Sequence, residues 1–279
     1  MKQLLLPLAS LLVFLTACNN NTPEAGVTTT PEAAPSLIGF TVVNTFPHDT
    51  SFYTEGFEFY EGQLFESSGS GVNLEDKVSP EHSSAFGVVN LKGGKVNRKA
   101  QLDSSIYFGE GITFFNGKVY QLTWKSHKGF IYDAKTFKKL GEFTYPGEGW
   151  ALTHDSTHLI MSDGSSNLRF IDPATINGEL KAQSIVGVTD NNGPVSNINE
   201  LEYIEGFIYA NQYTTNYILK IDPSNGKVVG KLDLSSLEAE ARKKRPDADY
   251  LNGIAYHPET KSLYVTGKLW PTIYEIRFN

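Results

Sequence analysis

The sequence predicts an all-β protein, a five-bladed β-propeller whose last blade is completed by a strand from the N-terminal side. Three observations carry this. A short unit of strand, turn and second strand recurs five times between residues 37 and 279, at intervals of about 40–55 residues. Within each unit apolar and polar residues alternate with period two, and Gly, Asn and Asp mark the turns. The composition leans the same way, with 14 Tyr, 17 Phe and 25 Gly. Four short antiparallel strands per unit of this length is the pattern of a propeller blade.

The first unit opens at Glu55-Gly56-Phe57-Glu58-Phe59 and returns through Gly62-Gln63-Leu64-Phe65. The second runs Glu110-Gly111-Ile112-Thr113-Phe114, then Gly117-Lys118-Val119-Tyr120. The third is read as Glu148-Gly149-Trp150-Ala151-Leu152, then His158-Leu159-Ile160. The fourth is Asn199-Glu200-Leu201-Glu202-Tyr203, then Gly206-Phe207-Ile208-Tyr209. The fifth is Asn252-Gly253-Ile254-Ala255-Tyr256, then Ser262-Leu263-Tyr264-Val265. Third strands follow at 130–133, 168–172 and 218–222, two of them ending in Asp-Pro, a turn starter. The fifth unit runs out of chain before a fourth strand. The segment Ile38–Asn44 has no other partner, so it is expected to close the ring and leave no free edge there. Ser235-Ser236-Leu237-Glu238 reads as a capping box leading into a helix through Lys244, in the connection before blade five.

Residues 1–17 are expected to be a signal peptide, not part of the fold. Lys2 is its positive start and Leu4–Phe14 its apolar stretch, short for a membrane span of ~20 residues. It ends Leu15-Thr16-Ala17-Cys18, and Cys18 is the one cysteine of the chain. A Cys at this point resembles a bacterial lipoprotein signal, which implies lipidation at Cys18 and a cell-envelope location, on the periplasmic side or in an outer membrane. Residues 18–36 are Pro- and Thr-rich and read as a flexible tether. The propeller then occupies 37–279. With one Cys there is no intrachain disulfide and no Cys-based zinc site. A formal charge of −7 and no long basic block argue against nucleic acid as a partner. A closed propeller is complete as a monomer.

In a propeller the inner strand of each blade starts near the central channel. The repeat therefore assigns Glu55, Glu110, Glu148, Asn199 and Asn252 to one ring at one end. Three carboxylates so close need compensation: a proton, a cation or a lysine. Three readings fit. The ring ties the blades together around water; or it binds Ca²⁺ or Zn²⁺, as in a metal-dependent lactonase; or one Glu with a raised pKa is a metal-free acid/base.

Eight strings run in order through all five units: Tyr53-Thr-Glu-Gly56, Phe108-Gly-Glu-Gly-Ile-Thr113, Leu122-Thr-Trp-Lys125, Gly147-Glu-Gly-Trp150, Met161-Ser-Asp-Gly-Ser-Ser166, Asn199-Glu-Leu-Glu-Tyr203, Leu251-Asn-Gly-Ile-Ala255 and Thr266-Gly-Lys-Leu-Trp-Pro271. Together they resemble the plant and bacterial type of glutaminyl-peptide cyclotransferase, over residues 40–278. The resemblance implies a five-bladed propeller that converts the N-terminal Gln of a peptide or protein to pyroglutamate and releases ammonia, with no cofactor and no metal. It implies Glu110 as acid/base, with Asn199 or Lys268 at the oxyanion; Lys268 fits equally as a counter-ion to Glu55 or Glu148. It implies a substrate pocket containing Tyr53, Glu55, Trp124, Trp150 and Tyr213. Two positions depart from the family pattern, which usually has Gln where Glu55 stands and Trp where Tyr213 stands. The stretch Gly71–Phe86 is also longer than the usual connection, long enough to reshape the pocket mouth. The other classes that remain are a Ca- or Zn-dependent lactonase-like hydrolase and a non-catalytic surface propeller.

Weaker patterns are set aside. His48-Asp49 and His154-Asp155 lack a nucleophile-elbow serine and read as turn residues. The six His have no metal-ligand spacing, and Ser67–Gly71 lacks the Lys and helix of a phosphate loop.

Overall fold

A computed structural model describes residues 33–69 and 84–278. The expected signal peptide, Cys18, nearly all of the tether and most of the 71–86 connection lie outside the described residues. Five sheets follow one another along the chain, each built on four antiparallel strands that run, in all but the last, in sequence order from an inner to an outer strand. Their inner strands are Thr54–Tyr60, Gly109–Phe115, Ala151–His154, Ile198–Ile204 and Leu251–His257, and each packs against the next to close a ring. This is the five-bladed propeller that the repeat predicts.

The closing strand is Phe40–Pro47, paired antiparallel with Thr272–Phe278 as the outer strand of blade five. Blade four carries an addition that the sequence reading misses. Ser36–Leu37, assigned partly to the tether, pairs in parallel with Val228–Asp233 and becomes a fifth strand. Two hydrogen-bonded residues on an otherwise open edge are too short to show a period.

The helix is Ser235–Lys244, as expected, but the capping box does not form. The cap position is Leu234, which offers no side-chain bond. Asp233 does that work from one residue earlier: its Oδ1 accepts from Ser235 N at 3.0 Å and Ser235 Oγ at 2.5 Å. Glu238, the expected reciprocal cap, instead accepts from Arg242 Nε one turn on, at 2.8 Å. Leu237 and Ala241 bury the helix against Trp270, Tyr274 and Leu251.

Register fixes which residues surround the channel. Phe57 pairs with Glu66, Ile112 with Gln121, Leu152 with Met161, Leu201 with Ala210 and Ile254 with Val265, at the same level of the five blades. Counting back two residues gives the ring as Glu55, Glu110, Trp150, Asn199 and Asn252. Glu148 is therefore not a ring residue. The third inner strand starts only at Ala151, so the ring position there falls on Trp150.

The Glu-Gly string recurs for two physical reasons. A Cβ on Gly56 would come within 2.8 Å of Ile112 N, and one on Gly111 within 2.6 Å of Ala151 Cα. These glycines let neighbouring inner strands approach. A Cβ on Gly149 would instead meet the Tyr145 hydroxyl at 2.6 Å, in a loop above the sheet.

Deeper in the channel three buried glutamates join blades together. Glu200 accepts from Phe57 N (3.1 Å) and Ile254 N (2.8 Å). Glu202 accepts from Tyr256 N at 2.8 Å, and Glu58 from Phe114 N at 3.1 Å. Burial holds the carboxyls of Glu200 and Glu202 well above the usual range and pushes Glu58 up to about 8.

His48 is a correction to its reading as a turn residue. Its Nδ1 lies 2.6 Å from Trp270 O and its Nε2 is 3.0 Å from Glu66 Oε1, with all three groups buried. A carbonyl and a carboxylate both accept, so both ring nitrogens carry protons and His48 is the cation of a buried pair. Asp49 makes the turn, accepting from Ser51 Oγ at 2.7 Å. Asp155 does the same, but His154 ends the third inner strand, paired with Leu159, and its Nε2 lies 3.7 Å from Glu58 Oε1.

Candidate active site

The ring end of the channel holds two carboxyls and one ammonium. Glu55 and Glu110 occupy adjacent blades and are each buried, at 2% and 5% exposure. Lys268 follows the second strand of blade five and is 3% exposed. Its ammonium pairs with Glu55 Oε2, which also accepts from Asn252 Nδ2 at 3.3 Å. The Glu55 and Glu110 carboxyls, at neighbouring ring positions, act on each other's titration. Burial and the neighbouring Glu55 charge raise the Glu110 carboxyl well above its ordinary value, with Lys268 opposing. Glu55 is raised by burial too, and there Lys268 is the larger counterweight.

Aromatic rings form a wall over this floor. Tyr53 meets Phe108 edge to face (6.3 Å between centroids), and Phe108 meets Trp124 (5.8 Å). Trp150 meets Tyr213 (5.6 Å), and Tyr213 meets Tyr250 (5.1 Å). Glu148 bridges the two arcs: its Oε2 accepts from Trp124 Nε1 at 2.7 Å and from Trp150 Nε1 at 2.9 Å. One carboxylate oxygen thus fixes both indoles. Lys268 Nζ lies 4.4 Å from the Tyr53 ring centre and 5.8 Å from that of Tyr213, within cation–π range. Burial, with the charges of Asp249 and Glu55, pushes the Tyr213 hydroxyl up to about 12.

Each string in the sequence has a local reason. Gly164 of Met161–Ser166 has φ +78°, and the Trp150 ring lies 2.4 Å from where its Cβ would be. Gly267 likewise gives way to Trp270, whose indole would meet a Cβ at 2.3 Å. Trp270 is fully buried and donates from Nε1 to Asp249 O at 2.7 Å. Backbone bonds Asp249 N to Lys268 O and Lys268 N to Tyr250 O, both 2.9 Å, then hold Lys268 in place. Ser67 Oγ donates to Glu110 O (2.7 Å), and Ser162 Oγ to Asn199 O (2.8 Å). The same device seats a ring residue in blades two and four.

Of the eight expected residues, Tyr53, Glu55, Trp124, Trp150, Tyr213 and Lys268 are joined by these contacts, and register puts Glu110 and Asn199 in the same ring. Asn199 is buried, and its Oδ1 has no hydrogen-bond partner among the described residues. Four further residues belong here that the sequence reading leaves out or misplaces. Glu148 clamps the indoles instead of joining the ring. Asp249 accepts from the Tyr53 hydroxyl at 2.6 Å. Phe108 and Tyr250 complete the wall. Phe108 was visible in the Phe-Gly-Glu-Gly string, whereas Asp249 and Tyr250 precede a strand in a stretch with no repeat.

A family model described as glutamine cyclotransferase matches residues 10–278. A curated Arabidopsis thaliana protein, glutaminyl-peptide cyclotransferase, is 37% identical over 240 residues, 85% of this chain and 70% of that one. The crystal structure of Myxococcus xanthus glutaminyl cyclase superposes with a TM-score of 0.76 at 31% identity, over 88% of this chain and 98% of that one.

Proposed function

The chain belongs to the glutamine cyclotransferase family, and from that premise we propose how it closes an N-terminal Gln into pyroglutamate with release of ammonia, using Glu110 as acid/base and no metal. The observation that carries the reading is the buried Glu110 carboxyl, set beside Glu55 and Lys268 beneath a wall of aromatic rings. The floor has its own cation: the Lys268 ammonium pairs with Glu55 beside Glu110.

The substrate's α-amine attacks its own γ-carboxamide. An α-amine has a pKa of ~7.7–8.0, so a useful fraction is neutral near pH 7. Because the reaction is intramolecular, the first task is to hold the side chain folded towards the amine. Trp124 and Trp150, fixed by Glu148, offer a flat wall to its methylene groups, and Tyr213 closes it. Glu110 accepts the proton of the attacking amine and returns it to the departing nitrogen. Lys268 stabilises the oxyanion. The Asn199 amide, with its unpaired oxygen, accepts from the substrate's carboxamide N–H, and its amide nitrogen reaches the oxyanion.

Peptides bearing an N-terminal Gln are the substrates. The lipid anchor at Cys18, the cell-envelope location and the monomeric state are part of the same proposal, supported by the Leu15-Thr16-Ala17-Cys18 string and the closed ring. Ammonia release from a Gln-initiated peptide, compared with its N-acetylated form, tests the reaction. The free peptide should lose one ammonia per turnover and the blocked one none. Equal release from both would point to a side-chain amidase.

A further inference from the structure

The floor of the site is a charge-counting problem. Two carboxyls, Glu55 and Glu110, are buried at neighbouring ring positions of adjacent blades, with the Lys268 ammonium on Glu55. Lys268 balances one negative charge. A second would be a buried, unpaired charge next to a like charge, and a proton removes it at less cost. Glu55 receives both Lys268 Nζ and Asn252 Nδ2 on its Oε2. The negative charge therefore rests on Glu55 and the proton on Glu110.

We propose that Glu55 is the proton partner of Glu110, a positioning residue that keeps the pair at one proton and takes up the second while the amine attacks. This rests on the reading of Glu110 as the acid/base. The α-nitrogen lone pair forms the bond to the carboxamide carbon, and the carbonyl electrons move to oxygen. The amine proton passes to the free Glu110 oxygen as the Glu110 proton shifts to Glu55. Glu55 is then neutral and its hold on Lys268 weakens, so the ammonium turns to the new oxyanion. The return shift delivers a proton to the amide nitrogen. The carbon–nitrogen bond breaks, its electron pair leaves with ammonia, and the pair again holds one proton.

The charged and titratable groups that act on Glu110 are Glu55 on blade one, Lys268 on blade five, Glu148 and Tyr145 ahead of blade three, and Tyr213 on blade four. Asp249 and Tyr53 act on Glu55. Glu58 bonds the far end of the Glu110 strand, at Phe114 N.

The test is an infrared carboxyl titration, with kcat against pH, of wild type, E110Q and E55Q. The carboxyl signal that E110Q removes should be protonated at neutral pH in wild type. In E55Q it should titrate about one pH unit or more lower, and the kcat profile should move to acid with it. A Glu110 signal already ionised at neutral pH in wild type overturns the proposal, and this comparison needs no folded E55Q. A signal unmoved in folded E55Q overturns it as well. If E110Q turns over like wild type, the acid/base reading itself fails. If E110Q is inactive and the signal is unmoved in E55Q, that reading stands and only the partner role falls.

Discussion

Lys268 and Glu55 form an ion pair inside the ring, with neither residue more than 3% exposed. Such a pair is costly to split, because the survivor stays buried and charged. Lys268→Met should lower unfolding free energy by about 3–5 kcal/mol. Adding Glu55→Gln should recover a large part of that, since the orphaned charge is gone. Denaturant unfolding of the single and double variants checks this. A double variant as unstable as the sum of the two singles would mean the pair is not coupled.

Glu148 ties Trp124 and Trp150 together through one oxygen. Glu148→Ala leaves two indole N–H groups without their acceptor and frees both rings. KM for a Gln peptide should rise more than kcat falls, while Glu148→Gln, which keeps an acceptor, should stay close to wild type. A kcat loss with unchanged KM in Glu148→Ala would assign Glu148 to the chemistry instead of the wall.

His48 carries a pH signature in stability. Burial lowers its pKa, but Glu66 and the Trp270 carbonyl outweigh that and leave it raised above 6.5. A raised folded pKa stabilises fully below the unfolded value and fades as pH climbs through the folded one. The stability gap between wild type and His48→Ala should therefore be widest below about pH 6.5 and shrink above it. Urea midpoints across pH measure the gap. A gap that widens with pH would mean His48 is neutral in the fold.

Much of this was legible in the sequence, and the failures have physical causes. The period-two strands gave the blades, and the partnerless segment before Glu55 gave the closing strand. The third unit was misaligned because Glu148-Gly149 looks like Glu110-Gly111. There the glycine makes room for Tyr145, not for a neighbouring strand, so two constraints produced one string. His48 reads as a turn residue because its partner Glu66 lies in a strand eighteen residues on, and nothing local marks a pair that forms only across the fold. Glu58, Glu200 and Glu202 alternate with apolar residues as solvent-facing side chains do. Only the closed ring turns that face into a channel.

The most direct measurement is ammonia release and mass loss from a Gln-initiated peptide, by wild type and Glu110→Gln, each in EDTA. Glu110 as metal-free acid/base predicts that wild type keeps its rate and the folded variant loses about 10²–10⁴-fold in kcat. Wild-type turnover by Glu110→Gln, or a wild-type rate abolished by EDTA, would contradict it.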